Sequence, residues 1–479
     1  MRHEHISAAL EKWFGSGSTC EQPLYLVGGT VRDLLLGQCP HDLDLVCRNA
    51  REIASDIARR NHASLVSMEK KPGEPCYRVI DRTCPDAFID LAEMRGRDIH
   101  EDLYRRDFTI NAMALEIRGG GAYGDLIDML HGAEDIRMNV VRMVSDRALV
   151  SDPLRILRAV RHAATLHFSI EEATLSEMQN RAGLLRGVSA ERVLAELLLI
   201  LETDRSACYF RKMDELGILA VLFPEIMPMK ACAQNGYHHK DVWEHSLLVM
   251  ENVEHILSDL AGFFGGVSSS VADYLAAGTP SLVKLASLLH DVGKPDTKGV
   301  RPDSRITFRG HDKVGADIAQ AVCGRLRMPN RSRDLVVRIV REHLRPLVLS
   351  SFRTESSALV RWFGKMRDDA VPVLVLGMAD VMSSLGPESG AEYRERVITW
   401  IQESMLAYFG SIRQRIASPL LITGDDLIAM GMKPGIALGK LISRLRFAQD
   451  SGKISSREEA LCAARELIRD RPERRQPPA

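Results

Sequence analysis

Several things that would classify this chain at once are missing from it. Its nine cysteines are scattered and form no C-x-x-C pair. That argues against a zinc ribbon or disulfide framework and for a reduced, cytoplasmic protein. No apolar run approaches the roughly 20 residues that a membrane-spanning helix needs. The longest candidates, such as AVPVLVLGMADVM, are short and end in acid. The N-terminus, MRHEHISAALEKWF, is charged and amphipathic and lacks the apolar core of a secretory signal. There is no charge excess either: 63 Lys+Arg face 64 Asp+Glu, a net charge of −1. Global charge therefore says nothing about a nucleic-acid partner, and only local basic patches can. Aromatics are scarce at 5% against 45% hydrophobic residues, which fits soluble, mostly helical packing. No tandem repeat is visible.

With 479 residues the chain exceeds one ordinary core, so two to four domains are expected. Strand signals concentrate before about residue 140: LYLV, LDLVC, YRVI, AFIDLA and NAMALEI are short apolar or alternating runs bounded by Gly, Pro and Asp. Later segments are helical. In DPLRILRAVRHAATL, Leu154, Leu157, Val160 and Ala164 repeat with a 3.6-residue period. SAERVLAELLLILE is a second amphipathic helix with Ser189 as its N-cap. A polar, Pro- and Gly-bearing break precedes Val242, where helices resume, and the insert GFFGGVSSSVADYLAAGTPS separates two of them. The tail DRPERRQPPA has the composition of a disordered end. The expected fold class is α+β, with a head over residues 1–140, a helical neck over 141–230, a helical middle domain over 231–390 and a helical tail over 391–479.

Two features of LYLVGGTVRDLLLGQCPHDLDLV carry chemistry. Gly28, Gly29 and Thr30 follow a strand and open a helix that ends by Gly37. Glycine lets the backbone approach a phosphate, the helix N-terminus favours anions, Thr30 adds a hydroxyl and Arg32 a cation. A plain tight turn also explains the pair, and this stretch fits neither the P-loop nor the dinucleotide fingerprint. On a strand, Asp42 and Asp44 share one face while Leu43 and Leu45 enter the core. Two such carboxylates suit Mg²⁺ with phosphate oxygens and waters. The alternative is an exposed strand face, although acids are poor strand formers. Asp90, on a later strand, is a candidate third acid.

The stretch LVGGTVRD…HDLDLV resembles the head of the DNA-polymerase-beta-like nucleotidyltransferase superfamily. DLYRRDFTINAMAL is similar to the second motif of its class II tRNA nucleotidyltransferase and bacterial poly(A) polymerase branch, and DPLRILRAVRHA to that branch's nucleotide-base motif. All three stand in family order between Leu24 and Ala163. The resemblance implies transfer of a nucleotide from CTP and/or ATP to an RNA 3′-hydroxyl, with Asp42 and Asp44 as catalytic Mg²⁺ ligands. Gly28, Gly29, Thr30 and Arg32 would cradle the triphosphate. Arg105, Arg106, Asp107 and Asn111 would face its sugar and phosphates. Asp152, Arg155 and Arg158 would lie on the base-reading helix. Asp152 and Arg155 are three residues apart and so share a helix face, where they can pair with a base edge. The family usually shows Glu before that Asp, and this chain has Ser151.

The family includes CCA-adding, CC-adding, A-adding and poly(A)-adding enzymes. Full CCA-adding members usually carry a long loop before the second motif, whereas the link here, AEMRGRDIHEDLY, is short. This favours a specialised CC- or A-adding enzyme or a compact CCA-adding variant. RRNHASLVSMEKK does not match the basic segment of bacterial poly(A) polymerases, which places tRNA ahead of polyadenylation. RILRAVRH and SRLRFAQ offer basic helix faces to an RNA backbone. GDDLIAMGMKPGIALGKLI resembles the family's tail, with glycines that either admit RNA or form a turn.

A second constellation runs His245, His290-Asp291, His311, His343 and Asp380. Helices of a bundle can converge such side chains on a divalent metal. The order, with LLHDVGK, resembles the HD phosphohydrolase superfamily. His245, His290, Asp291 and Asp380 match its basic metal positions, and His311 and His343 the extra histidines of metal-richer members. Lys294 would neutralise a phosphate. A divalent transition metal or Mg²⁺ is expected there, along with phosphatase and 2′,3′-cyclic phosphodiesterase action; an inactive HD scaffold is the alternative. The expected partners are tRNA and CTP and/or ATP, without a membrane, and the oligomeric state is unknown from the sequence.

Overall fold

The computed structural model describes residues 10–15, 22–40, 42–71, 74–118, 122–276, 278–353, 357–386 and 389–469. The tail read as disordered, residues 470–479, lies outside the described residues. The chain forms two compact units. One comprises residues 1–203 and 212–222, and the other residues 204–211 and 223–479. No helix among the described residues is long and apolar enough to cross a membrane.

The first unit is built on a seven-stranded mixed sheet. Its strands are β1 (Leu24–Val27), β2 (Leu43–Cys47), β3 (Ser64–Lys71), β4 (Glu74–Ile80), β5 (Phe88–Glu93), β6 (Ala114–Ile117) and β7 (Tyr123–Ile127), in the spatial order β3-β4-β5-β2-β1-β6-β7. β2 runs parallel to β5 and antiparallel to β1. Leu43 and Leu45 are buried, as the period-two reading requires. On the face of β2 that carries Asp44, Val46 packs with Ile99 and Leu103 of a short helix, Ile99–Tyr104. Asp98 caps that helix by accepting from the Glu101 N–H at 2.9 Å.

Two strands of this sheet escaped the sequence reading, and both are its edges. Edge strand β3 leaves Leu65 and Val66 exposed, so its pattern does not alternate with burial. Edge strand β7 contains a glycine and an aspartate and buries none of its residues fully. NAMALEI is shorter as a strand than expected. Asn111 belongs to a 3₁₀ turn, Thr109–Asn111, because its side chain is held by three partners described below.

The remaining principal helices are α1 (Gly29–Leu35), α2 (Arg155–Leu166) and α3 (Ala190–Glu202) in the first unit. Ser189 caps α3 by position only, with no side-chain hydrogen bond. The second unit contains α4 (Val242–Ser258), α5 (Thr279–Leu289), α6 (His311–Arg325), α7 (Asn330–Glu342) and α8 (Ala370–Ser383). Asp241 caps α4 through the Glu244 N–H at 2.8 Å. α4 packs on α5 and α8, and α7 on α5 and α6. The insert before α5 is not an irregular spacer but forms helices Leu260–Phe264 and Ser268–Leu275, which bury Phe264, Val271 and Leu275. In the tail, Gly431 (φ +91°) and Gly435 (φ +146°) form a turn between helices Gly424–Ala429 and Ile436–Asp450.

Candidate active sites

Asp42, Asp44 and Asp90 come together in the first unit, with one ligand oxygen from each within 4.8 Å of the others. The sheet dictates this. Asp42 and Asp44 alternate with core leucines, and the β2–β5 register sets Asp44 beside Asp90. The next strand supplies a counter-charge. Arg78 is in register with Asp90 and binds it through two hydrogen bonds, Nε to Oδ1 at 2.7 Å and Nη2 to Oδ2 at 2.8 Å. Three carboxylates, one of them bound by the Arg78 guanidinium, form a donor set suited to a hard divalent cation.

Gly28 has φ +68°, and a Cβ there would meet Arg106 Nη1 at 3.3 Å and Asp44 Oδ2 at 3.6 Å. The glycine thus permits both the turn and the close approach of Arg106 and Asp44. Gly29 starts α1. The hydroxyl of Thr30 has another task than the expected phosphate contact. It donates to the Asp42 carbonyl at 3.1 Å and accepts from the Asp44 N–H at 2.8 Å, pinning the acid-bearing strand to α1. Arg32 is likewise engaged: its Nε donates to Asp33 at 2.8 Å and its Nη1 to Asn111 Oδ1 at 2.9 Å.

Those bonds open a buried polar network. Asn111 Nδ2 donates to Asp107 Oδ1 at 3.2 Å and to His162 Nε2 at 3.1 Å. Arg158 binds Asp107 through Nε at 2.9 Å and Nη2 at 2.6 Å. Arg161 donates to His162 Nε2 at 3.3 Å and to Glu196 at 2.6 Å. Because arginine only donates, His162 Nε2 must accept, so the ring's proton sits on Nδ1. Burial, reinforced by Arg161, lowers the His162 pKa well below its ordinary value and keeps the ring neutral. Burial opposes charge on Asp107, but Arg158 and Arg155 outweigh it and hold the carboxyl below the usual range. Arg106 binds buried Asp102 through Nε at 3.0 Å and Nη2 at 2.8 Å, while Arg105 is exposed.

The base-reading pair differs from expectation. Asp152 precedes α2 in extended conformation (φ −150°), so it shares no helical face with Arg155. It pairs instead with Arg192 of α3 at 2.9 Å. Arg155 is buried, and its Nη atoms donate to the carbonyls of Arg105 (2.7 Å), Arg106 (2.9 Å) and Ala148 (3.1 Å). Ser151 Oγ, at the family's Glu position, lies 3.3 Å from the same guanidinium. The arginines of RILRAVRH therefore serve the protein interior. In SRLRFAQ, Arg446 pairs with Asp450 at 2.9 Å while Arg444 is exposed. The sequence reading passed over Arg78, Asp102, His162, Arg192 and Glu196. Arg192 and Glu196 lie on α3, where a polar residue every fourth position reads as an ordinary solvated stripe.

In the second unit six side chains converge. His245 Nε2 lies 3.0 Å from Asp380 Oδ1, and His290 Nε2 lies 3.2 Å from Asp291 Oδ2. His311 and His343 Nε2 stand 3.3 and 3.7 Å from Asp291 Oδ1 and 3.3 Å from each other. They form two groups of potential ligands, His245–His290–Asp380 and Asp291–His311–His343. The chain also fixes the imidazole tautomers. Nδ1 of His290, His311 and His343 faces the carbonyl three residues earlier, at 2.7, 2.6 and 2.6 Å. A carbonyl only accepts, so each Nδ1 carries a hydrogen, and each Nε2 that is unprotonated turns its lone pair inward. Nε2 of His290 has no hydrogen-bond partner among the described residues. Lone pairs facing carboxylates in a buried site are costly unless a cation lies between them. The donors fit a divalent metal.

Gly293 shapes this cluster. A Cβ there would meet the His311 carbonyl at 2.4 Å and Gly315 N at 2.5 Å, so only glycine lets the HD turn reach α6. Lys294 is buried, with Nζ 2.6 Å from both Asp291 Oδ2 and Gln234 Oε1; it is paired within the protein, not held ready for phosphate alone. A pocket of about 350 Å³ opens on Asp291, Lys294, His311, His343 and Asp380.

Residues 24–142 match the family described as "Poly A polymerase head domain", residues 167–230 the "Probable RNA and SrmB- binding site of polymerase A", and residues 242–385 the "HD domain". The chain is 34% identical over 445 residues to the CC-adding tRNA nucleotidyltransferase of Thermus thermophilus, covering 91% of each protein. It is 31% identical over 450 residues to the A-adding tRNA nucleotidyltransferase of Deinococcus radiodurans, covering 91% of this chain and 93% of that protein. A solved CCA-adding enzyme with ATP shares the fold, with a TM-score of 0.63 at 22% identity over 97% of this chain and 94% of that one. Given the acid cluster, the glycine turn and the HD ligands, these matches lead to one conclusion: the chain belongs to the tRNA nucleotidyltransferase and poly(A) polymerase family, in its HD-bearing branch.

Proposed function

We infer that this chain is a template-independent tRNA nucleotidyltransferase that adds C, A or both to tRNA 3′ ends from CTP and ATP. One observation carries the reading: three carboxylates converge beside a glycine turn, in a chain 34% identical to a CC-adding enzyme over 91% of its length. The tRNA 3′-oxygen attacks the α-phosphorus, the bond to the β-phosphate oxygen breaks, and pyrophosphate leaves. Asp42, Asp44 and Asp90 would hold Mg²⁺, which when bound lowers the pKa of the attacking hydroxyl and neutralises phosphate charge. Gly28 and Gly29 give the triphosphate access to backbone N–H groups, and Arg105 and Arg106 supply cations. Arg32, Asp107, Asn111 and Arg158 keep these motifs in register. Asp152 reads the base, with Arg192 released from or sharing its carboxylate, and Arg155 braces the Arg105–Arg106 backbone beside it.

The HD unit is a divalent-metal phosphohydrolase in this reading. His245, His290, Asp291, His311, His343 and Asp380 hold the metal, Mg²⁺ or a transition ion. Its role is to clear phosphate from damaged RNA ends, because only a free 3′-hydroxyl can be extended. A tRNA substrate and a reduced cysteine set fit a cytoplasmic location. Incorporation of labelled nucleotide into tRNA tests the head. Asp44→Ala should lower it by about 10³-fold or more, in line with loss of a metal ligand at a phosphoryl-transfer site. Full incorporation by that variant would remove the assignment.

A further inference from the structure

The HD pocket carries a feature that hydrolysis of a bare phosphate ester does not require. Tyr237 and Tyr393 line it together with Asp291, Lys294 and Asp380. Their ring centroids are 6.4 Å apart at 56°, which makes an aromatic corner with one face and one edge. Tyr237 is 42% exposed, so its ring is not consumed by packing. The Arg396 guanidinium lies 5.4 Å from the Tyr393 ring.

The backbone that carries Tyr237 is tied to its neighbours. The Tyr237 N–H donates to Asn235 Oδ1 at 3.3 Å, and its carbonyl accepts from the Gly386 N–H at 2.8 Å. A Cβ on Gly386 would meet the Gly236 carbonyl at 2.3 Å and the Tyr237 carbonyl carbon at 2.4 Å. These contacts set where the Tyr237 side chain leaves the backbone. His238 lines the same pocket, and its buried Nδ1 has no hydrogen-bond partner among the described residues. Arg309 adds an exposed cation to the lining. At about 350 Å³ the pocket is at the small end of ligand sites, with room for one nucleotide.

We propose that this pocket is a single-nucleotide subsite, with the base stacked on Tyr237 against the Tyr393 edge and the phosphate turned towards Lys294 and the HD ligands. It makes the HD unit selective for nucleoside phosphates, free or at an RNA end, over base-free phosphate esters. The proposal rests on the phosphohydrolase reading above. In the reaction a water oxygen joins phosphorus, the ester P–O bond breaks, and the nucleoside oxygen leaves with a proton.

The test uses the full chain with adenosine 3′-monophosphate, glycerol 2-phosphate and a short RNA ending in a 3′-phosphate, each with Mg²⁺, Mn²⁺, Co²⁺ or Ni²⁺. Tyr237→Ala should raise KM for adenosine 3′-monophosphate at least about 5-fold, the lower bound for one stacked base. Turnover of glycerol 2-phosphate and nucleotide addition to tRNA should stay unchanged, and Tyr237→Trp should restore the nucleotide KM. The same dependence on the oligonucleotide marks an RNA end as the source, and its absence there marks a free nucleotide. Equal losses on both small esters, or an unchanged nucleotide KM, overturn the subsite. If the wild-type protein releases no phosphate from any probe, the phosphohydrolase reading fails. Equilibrium binding of adenosine 3′-monophosphate then decides the subsite: weaker binding by Tyr237→Ala upholds it and equal binding overturns it.

Discussion

At Gly28 a single hydrogen atom separates a workable site from an obstructed one. The residue sits at φ +68° with Arg106 Nη1 3.3 Å and Asp44 Oδ2 3.6 Å from the position of a Cβ. Gly28→Ala adds backbone strain of about 1–3 kcal/mol and pushes on both groups. Nucleotide incorporation should fall roughly 10- to 100-fold, the rate equivalent of that strain, while phosphate release by the HD unit is unaffected. Radiolabel incorporation measures the first and a phosphate assay the second. Side-chain partners were the least legible part of the sequence. Asp90 was placed with Asp42 and Asp44 from its strand, yet nothing local announced that Arg78 would neutralise it. The pairing arises from a register between β4 and β5. Thr30 and Arg155 teach the same lesson. Both stand in motifs that invite a substrate contact, and both hydrogen-bond to main-chain atoms of neighbouring motif segments instead.

Elements with a clear period were readable. β1 and β2 fall on LYLV and LDLVC, and α2 and α3 on the two amphipathic runs, because in each case the buried face repeats at the period of the element. The failures have a common cause: β3 and β7 are edges with little buried face, and the 262–281 insert hides short helices behind its glycines and serines. The HD cluster depends on one close approach between elements. The turn after α5 meets the start of α6 at Gly293, where a side chain would overlap the His311 carbonyl. Gly293→Val should therefore separate His311 from Asp291. Metal content of the purified protein, measured by elemental analysis, is expected to drop, with a melting temperature lower by several degrees, as a buried steric clash of about 1–3 kcal/mol implies. Unchanged metal content would show that the turn does not position the cluster.

At the scale of the whole molecule, the sets of potential metal ligands found among the described residues reside in two different compact units. Their order along the chain was legible because each set carries its own motif string. Their internal geometry was not, since it comes from sheet register in one unit and helix ends in the other. The division predicts separable activities: His290→Ala with Asp291→Ala should abolish phosphate release and leave nucleotide addition intact, whereas Asp42→Ala should do the reverse. In the proposed reading, the number of nucleotides added is set around Asp152, Arg192, Ser151 and the short link before Tyr104. The most direct test of the central claim offers the purified protein three tRNAs, ending at the discriminator base, at C and at CC, each with CTP alone, ATP alone or both. Extension of at least one of them by a defined C or A addition that stops at or before CCA is the predicted result. Long A-tails on unrelated RNAs, or no extension of any of the three, would contradict it.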